Sequence, residues 1–286
     1  MAGRLQERIG VAGWLLRLFL VTFTVLCILP FYYVLMVALS DPVYVRQGEI
    51  VLFPRGFSLA AFEAVLGQRA FLNSFFVSVV RTVLGVGIGL SVQASVAYTL
   101  SRPIRGRKFL TLMLIFALIF NGGMIPTYLV VKATGLMDSI WALVIPDALI
   151  VFNAIILLSF FRSIPDSIVE SAKIDGAGDI MIFIRLVIPL SLPAIATISL
   201  FVAVHHWNAL MDSVLYINRD GLWPLQRYLL SIVQRNQETV DDMNQFLPSI
   251  SVQSATIFAA TVPILVVYPF IQRYFIKGIM LGAVKG

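Results

Sequence analysis

Charge is scarce in this 286-residue chain: 13% of residues are Asp, Glu, Lys or Arg, against 59% hydrophobic. Soluble domains rarely exceed about half apolar, so an ordinary soluble protein is excluded. The mean hydropathy of +0.92 points instead to an integral membrane protein. A single cysteine, Cys27, excludes an intrachain disulfide. The two histidines, His205 and His206, are adjacent. Helical neighbours point about 100° apart, so the two cannot share a zinc ion, and no second cysteine stands in. No G-x-x-x-x-G-K-[ST] phosphate loop occurs, so this chain does not hold ATP in that manner. Alternation of apolar and polar residues, the mark of a transmembrane barrel, is also missing.

What is present is a set of continuous apolar runs. Spanning takes roughly 20 apolar residues per helix, and six segments qualify: residues 14–39, 71–100, 109–131, 140–161, 186–207 and 250–275. The first has a basic start, but its apolar run is too long for a cleaved signal and is read as a retained helix. Lys and Arg placement orients the chain: with the N-terminus cytoplasmic, 13 fall inside and 7 outside, and Arg81 lies within a span. The densest cluster, "SRPIRGRK", lies between the second and third spans. Both termini are therefore expected inside, and the net +6 reflects topology rather than a nucleic-acid surface. The expectation is an all-α, multi-pass protein with one membrane domain over residues 1–286. The outer segment 208–249 carries a turn signal, "RDGLWP", followed by helical apolar spacing at Leu225, Tyr228, Leu229 and Ile232.

The segment "SIPDSIVESAKIDGAGDIMIFIRLVIPLSLP", residues 163–193, concentrates charge between two spans. Ser163 is placed to cap a helix with Pro165 and Asp166 in its first turn. That helix must stop at "DGAG", where Gly176 readily takes a left-handed conformation. Asp179 is placed to cap a second helix over residues 180–187, bent into the membrane at Pro189. The result is a short helix–turn–helix, residues 163–185, on the cytoplasmic side. Ile168 and Ala172 line one side of its first helix, and Glu170 and Lys173 its flank. A connector could be far shorter, so the element reads as a docking surface.

"ESAKIDGAGDIMIFIRLVIP" resembles the cytoplasmic signature loop of ATP-binding-cassette importer permeases. Glu170, Ala172, Gly176 and Pro189 fall on that pattern, with Ser171, Leu186 and Ile188 as conservative departures. "AKIDGAG" is similar to the sugar-importer branch, "FNGGMIPTYLVVKATGLMDSIWALVIP" to permeases for complex oligosaccharides or polysaccharides, and the terminal "GAVKG" to the second permease of maltose-type systems. The resemblance implies the type I importer architecture, with six transmembrane helices and alternating access. It implies an oligosaccharide as substrate, with alginate or another acidic one the leading candidate and a neutral one the alternative. Implied partners are a second homologous permease, two ATP-binding subunits and an extracytoplasmic solute-binding protein. ATP and Mg belong to the partner ATPases, none to this chain, and the chain itself is not an enzyme. The implied location is the bacterial cytoplasmic (inner) membrane. Ile168, Glu170, Ser171, Ala172, Asp175, Gly176, Ala177 and Pro189 are the implied ATPase-coupling residues, with Lys285 and Gly286 as a second contact.

Polar residues inside spans are costly and are pathway candidates by default. They are Arg81, Gln93, Asn121, Asp147, Asn153, His205, His206, Trp207 and Asn208. Arg81 can attract a carboxylated sugar, pair with an acid of the partner permease, or snorkel outward. Asp147 can simply be solvated. Trp207 suits stacking on a sugar ring, and equally an interfacial aromatic belt. "NGGMIP" reads as a helix break. An intramembrane enzyme would need paired acids or clustered ligands, and an ion-coupled secondary transporter paired acids or an inverted repeat. Neither pattern is visible.

Overall fold

The computed structural model describes residues 11–47, 52–238 and 250–283, and contains no strand among them. Its helices fall into two compact units, residues 1–68 with 232–261, and residues 69–231 with 262–286.

In the first unit, α1 (Val11–Ala38) has a mid-helix Pro30. Its side chains from Trp14 to Tyr33 are exposed, which suits contact with lipid or another chain. Its C-terminal end is tied down: Met36 and Val37 are buried with Leu35, Leu39 and Val45 packed around them. Ser58 N–H donates to the Leu39 carbonyl at 2.9 Å, and Asp41 N–H to that of Arg55 at 3.0 Å. Asp41 caps α2 (Pro42–Arg46) by accepting from the Val43 N–H at 2.8 Å. Phe62, on α3 (Ala60–Leu66), meets Phe258 edge-on at 6.2 Å.

The second unit is organised around α4 (Arg69–Ser101), whose 33 residues extend about 50 Å. Its buried positions recur every three or four residues: Phe71, Ser74, Ser78, Arg81, Gly85, Gly89, Gln93, Ala97, Leu100. That stripe receives α7 (Val151–Arg162) and α11 (Leu192–Asn208). The core joins Ala97 and Leu100 of α4, Leu157 and Phe161 of α7, and Ile198 and Val202 of α11.

Three predicted spans are less regular than their hydropathy suggests. The third is α5 (Arg107–Ile119) and α6 (Met124–Ala133), bent by 115°. Gly123, at φ +85°, sits at the break that "NGGMIP" announces, and Asn121 Oδ1 accepts its N–H at 2.8 Å. The fourth is helical only over α7, because a 3₁₀ turn (Ile140–Leu143) and irregular backbone around Pro146 replace its first half. The fifth is bent by 85° between Leu190 and Leu192. The bend is therefore at Ser191, not at Pro189: α11 starts afresh at Leu192 with Pro193 in its first turn, while a π-turn (Phe183–Val187) carries the chain into α10 (Ile188–Leu190), which holds Pro189.

The segment after α11 bears out its turn signal. It holds α12 (Met211–Tyr216), a 3₁₀ turn (Asp220–Leu222) and α13 (Leu225–Glu238). Ser78 accepts the Leu225 N–H at 2.7 Å and Asn73 Nδ2 donates to the Gly221 carbonyl at 2.8 Å, anchoring this segment to α4. Asp138, at φ +55°, fastens the loop after α6 to the same segment by accepting from Asn218 and Arg219 backbone N–H groups. The Asn218 N–H, then its side chain, hold the Asp138 carboxyl below the usual carboxylate range. Such a depressed group stabilises the fold above its unfolded value and ceases to do so as the pH falls through the folded one. Asp138→Ala is expected to lower the melting temperature of the purified protein at neutral pH. The deficit should shrink below about pH 4, and Asp138→Asn, which tolerates positive φ and still accepts, should lose less. Equal melting curves for wild type and Asp138→Ala would contradict this role.

The last helix, α14 (Ile250–Ala283), covers the sixth predicted span. Lys285 and Gly286 lie outside the described residues.

Candidate functional site

Two features carry chemistry. The first is the charged connector between α7 and α11. Ser163 does not cap the following helix; it ends α7, its hydroxyl donating to the Phe160 carbonyl at 2.7 Å. The next helix, α8 (Asp166–Ile174), leaves α7 at 73°, with Asp166 at its positive end. It stops as expected. Gly176 takes φ +81° and its N–H donates to the Lys173 carbonyl at 3.0 Å. The Ala177 N–H reaches the Ala172 carbonyl at 2.9 Å, completing the two-bond Schellman ending. α9 (Asp179–Ile182) begins at Asp179 itself rather than being capped by it. The Asp179 carboxylate instead faces Lys173 Nζ at 3.5 Å, an exposed pair of little energetic weight.

This knuckle has an inner and an outer side. Val169 is buried, and Ala172 and Ala177 pack half-buried onto the same core, so Ala172 does not share an outward face with Ile168 as its spacing suggested. Burial of a side chain such as Val169 contributes about 1.5–3 kcal/mol. Tyr98 of α4 stacks on Phe183 at 4.7 Å and its hydroxyl donates to the Asp179 carbonyl at 3.1 Å. The knuckle is thus fixed to α4 and α7 and can pass a push to both. Outward lie Ile168, Glu170, Ser171, Asp175 and Gly176, with Pro189 exposed further on. Two residues missed from the sequence join them: Ile174 and Ile180 are 86% and 76% exposed on either side of the turn. Two large aliphatics flanking a terminating glycine was the signal that could have found them.

The second feature is a polar cluster joining α4, the irregular stretch before α7, α11 and α12. Arg81 is fully buried and pairs with Asp212, a residue of this same chain, so neither a partner's acid nor snorkelling is needed to neutralise it. Arg81 also donates to the Ala209 carbonyl at 3.1 Å, holding the break between α11 and α12. The adjacent histidines diverge. His205 Nε2 lies 2.8 Å from Asp147 Oδ2, with both side chains about 40% exposed. His206 is buried, and its ring lies where a side chain on Gly85 would be: a Cβ there would collide with His206 Cδ2 and Nε2. Gly85→Ala is expected to destabilise the purified protein by about 1–3 kcal/mol through overpacking. His206→Ala in the same chain should restore much of the loss, and an unshifted melting temperature for Gly85→Ala would contradict the contact.

The remaining pathway candidates are dispersed. Gln93, fully buried, donates from Nε2 to the Ala148 carbonyl at 3.2 Å, next to Asp147. Asn153 is buried on α7. Trp207 is buried edge-on to Phe75 at 5.9 Å, which keeps a sugar ring off it in this conformation and removes it from an interfacial belt. Asn208 is exposed and donates to the Val204 carbonyl at 3.0 Å, and Asn121 stays apart at the α5–α6 break. Among the described residues no cluster of three or more potential ligands could hold a metal.

The family model for the binding-protein-dependent transport system inner membrane component matches residues 85–281, which include the whole knuckle. The chain belongs to that family. Among similar proteins, the polygalacturonan/rhamnogalacturonan transport system permease protein YtcP of Bacillus subtilis is 44% identical, over 94% of this chain and 96% of its own. Protein LplC of the same organism is 42% identical, over 91% and 90%. A chain of a crystallised bacterial ABC transporter, involved in the import of the acidic polysaccharide alginate, is 30% identical. It superposes with a TM-score of 0.86, over 96% of this permease and all of that chain. The type I ABC importer permease fold is therefore this permease's fold. Arg81 precedes the matched region, although its partners Ala209 and Asp212 lie inside it.

Proposed function

We propose that this permease is one membrane half of an ATP-driven importer that moves a uronate-containing oligosaccharide into the cytoplasm. Its full-length similarity to a permease named for polygalacturonan and rhamnogalacturonan transport carries the reading. The alginate importer adds a second polymer of acidic sugars. In this reading the chain lies in a bacterial inner membrane with both termini inside and pairs with a second, homologous permease. Two ATPase subunits hold ATP and Mg, and this chain does no catalysis. A solute-binding protein delivers the sugar; a related alginate transporter was crystallised with an alginate-pentasaccharide-bound periplasmic protein.

The knuckle supplies the mechanism. Ile168, Ile174 and Ile180 present apolar contact, Glu170 an exposed carboxylate for a basic group, and the Gly176 ending holds both flanks in place. Because the inner side is packed on the core at Val169 and Ile182, displacement of the knuckle moves α4, α7 and α11 together, and packed interfaces shift between discrete arrangements. Alternating access then follows ATPase closure and opening.

The test is uptake by the complete assembly in proteoliposomes, with oligogalacturonate, oligomannuronate and a neutral malto-oligosaccharide as cargo. ATP-dependent accumulation of a uronate oligomer, with the neutral sugar left outside, is the expected result. Accumulation of the neutral sugar alone would overturn the acidic-substrate reading, and ion-driven uptake without ATP would overturn the importer itself.

A further inference from the structure

In the last two turns of α11 the exposed residues are not scattered. Phe201, Val204, His205 and Asn208 fall three or four apart and share one face, flanking the stripe of buried Ile198, Val202 and His206. Asp147 joins that face from another element through its 2.8 Å contact with His205. An ionisable pair on an open face of a membrane helix is costly against lipid and is placed toward a protein or water-lined space.

The pair is also held rigidly from behind. Gln93 fixes the backbone beside Asp147 through the Ala148 carbonyl. His206, one residue along from His205, is seated in the space left by Gly85. Arg81 holds the end of the same helix through the Ala209 carbonyl. Buried supports of this kind keep first-contact groups in one geometry.

Arg81 is taken by Asp212 and His205 by Asp147, so the cluster leaves no cation over for a sugar carboxylate. What the face offers is hydrogen-bonding edges, the Asp147–His205 pair and the Asn208 carboxamide, beside the Phe201 ring. That combination suits the hydroxyl edge and apolar face of a pyranose ring. Resting on the importer reading above, we infer that this face of α11, with Asp147, lines the transport path and binds sugar hydroxyls, not carboxylates.

The complete assembly, reconstituted in liposomes, tests this with His205→Gln, Asp147→Asn and Asn208→Ala. Uptake is measured for whichever oligosaccharides of the panel the wild type accumulates, beside basal ATP hydrolysis and melting temperature. The expected result is uptake lowered about tenfold or more in His205→Gln and Asp147→Asn, the loss of roughly one polar contact in the path. Asn208→Ala, whose side chain is exposed, should lose several-fold without a change in melting temperature. Acidic and neutral cargoes, if both are carried, should be reduced alike. Uptake within twofold of wild type in all three variants would overturn the inference while leaving the importer reading intact. A loss confined to uronates would overturn the hydroxyl assignment, and a fall in uptake only where melting temperature also falls would reduce these residues to structural ones. A wild type that accumulates no sugar would remove the importer reading itself, and this inference with it.

Discussion

Replacing Gly176 with proline should abolish sugar uptake while leaving the protein in the membrane. Proline fixes φ near −65°, whereas this position requires +81°. It also removes the N–H that reaches the Lys173 carbonyl. The Schellman ending cannot form, so Ile180 and Asp179 lose their placement relative to Glu170 and Ile174. None of the spans is touched, and insertion is unaffected. Glu170→Lys separates docking from folding: the residue is exposed on α8, so the change costs the fold no more than about 0.5 kcal/mol. Both variants are expected to retain ATP hydrolysis by the assembly while uptake falls at least about tenfold, equivalent to about 1.4 kcal/mol of lost coupling. Normal uptake by both would exclude the knuckle from energy transfer.

The largest stability effect is expected at Arg81. Arg81→Met leaves Asp212 largely buried without its counter-charge and the Ala209 carbonyl without its donor. Removing one member of a buried pair costs about 3–5 kcal/mol, whereas replacing both with apolar groups is often neutral. Thermal unfolding of the purified permease should therefore show a large drop for Arg81→Met and recovery for Arg81→Met with Asp212→Leu. If the double variant is no more stable than the single one, the pair is not what holds Arg81. If the recovered double variant also transports normally, Arg81 contributes no contact to the sugar.

Much of this was legible in the sequence because the signals were local. The ending of α8 was readable because glycine is the residue that takes positive φ cheaply, and the break at Gly123 for the same reason. The amphipathic helix α13 was readable from the spacing of Leu225, Tyr228 and Leu229. What sequence could not supply was tertiary. The acid that meets Arg81 is 131 positions away, in a segment read as external, so nothing local announced it. The burial of Trp207 follows from which side of α11 faces α4, and a helix apolar on nearly every side does not reveal that. The same limit turned Ala172 outward in expectation when it packs inward. Hydropathy also overstated helix length at residues 140–150, where an apolar run is broken by Pro146 and adopts a 3₁₀ turn and irregular backbone.

The most direct measurement is site-specific crosslinking from the knuckle. With Cys27 replaced by serine, Glu170→Cys supplies this chain's only thiol, and the intact assembly in sealed, oriented vesicles is labelled with a short maleimide–diazirine reagent and irradiated, so that the photoactivated end inserts into whatever lies against the knuckle. A covalent adduct with the ATPase subunit, with yield that changes on ATP addition and with no labelling from the outer side, is the result predicted here. Labelling by an impermeant reagent from outside, or no adduct in an assembly that transports, would contradict it.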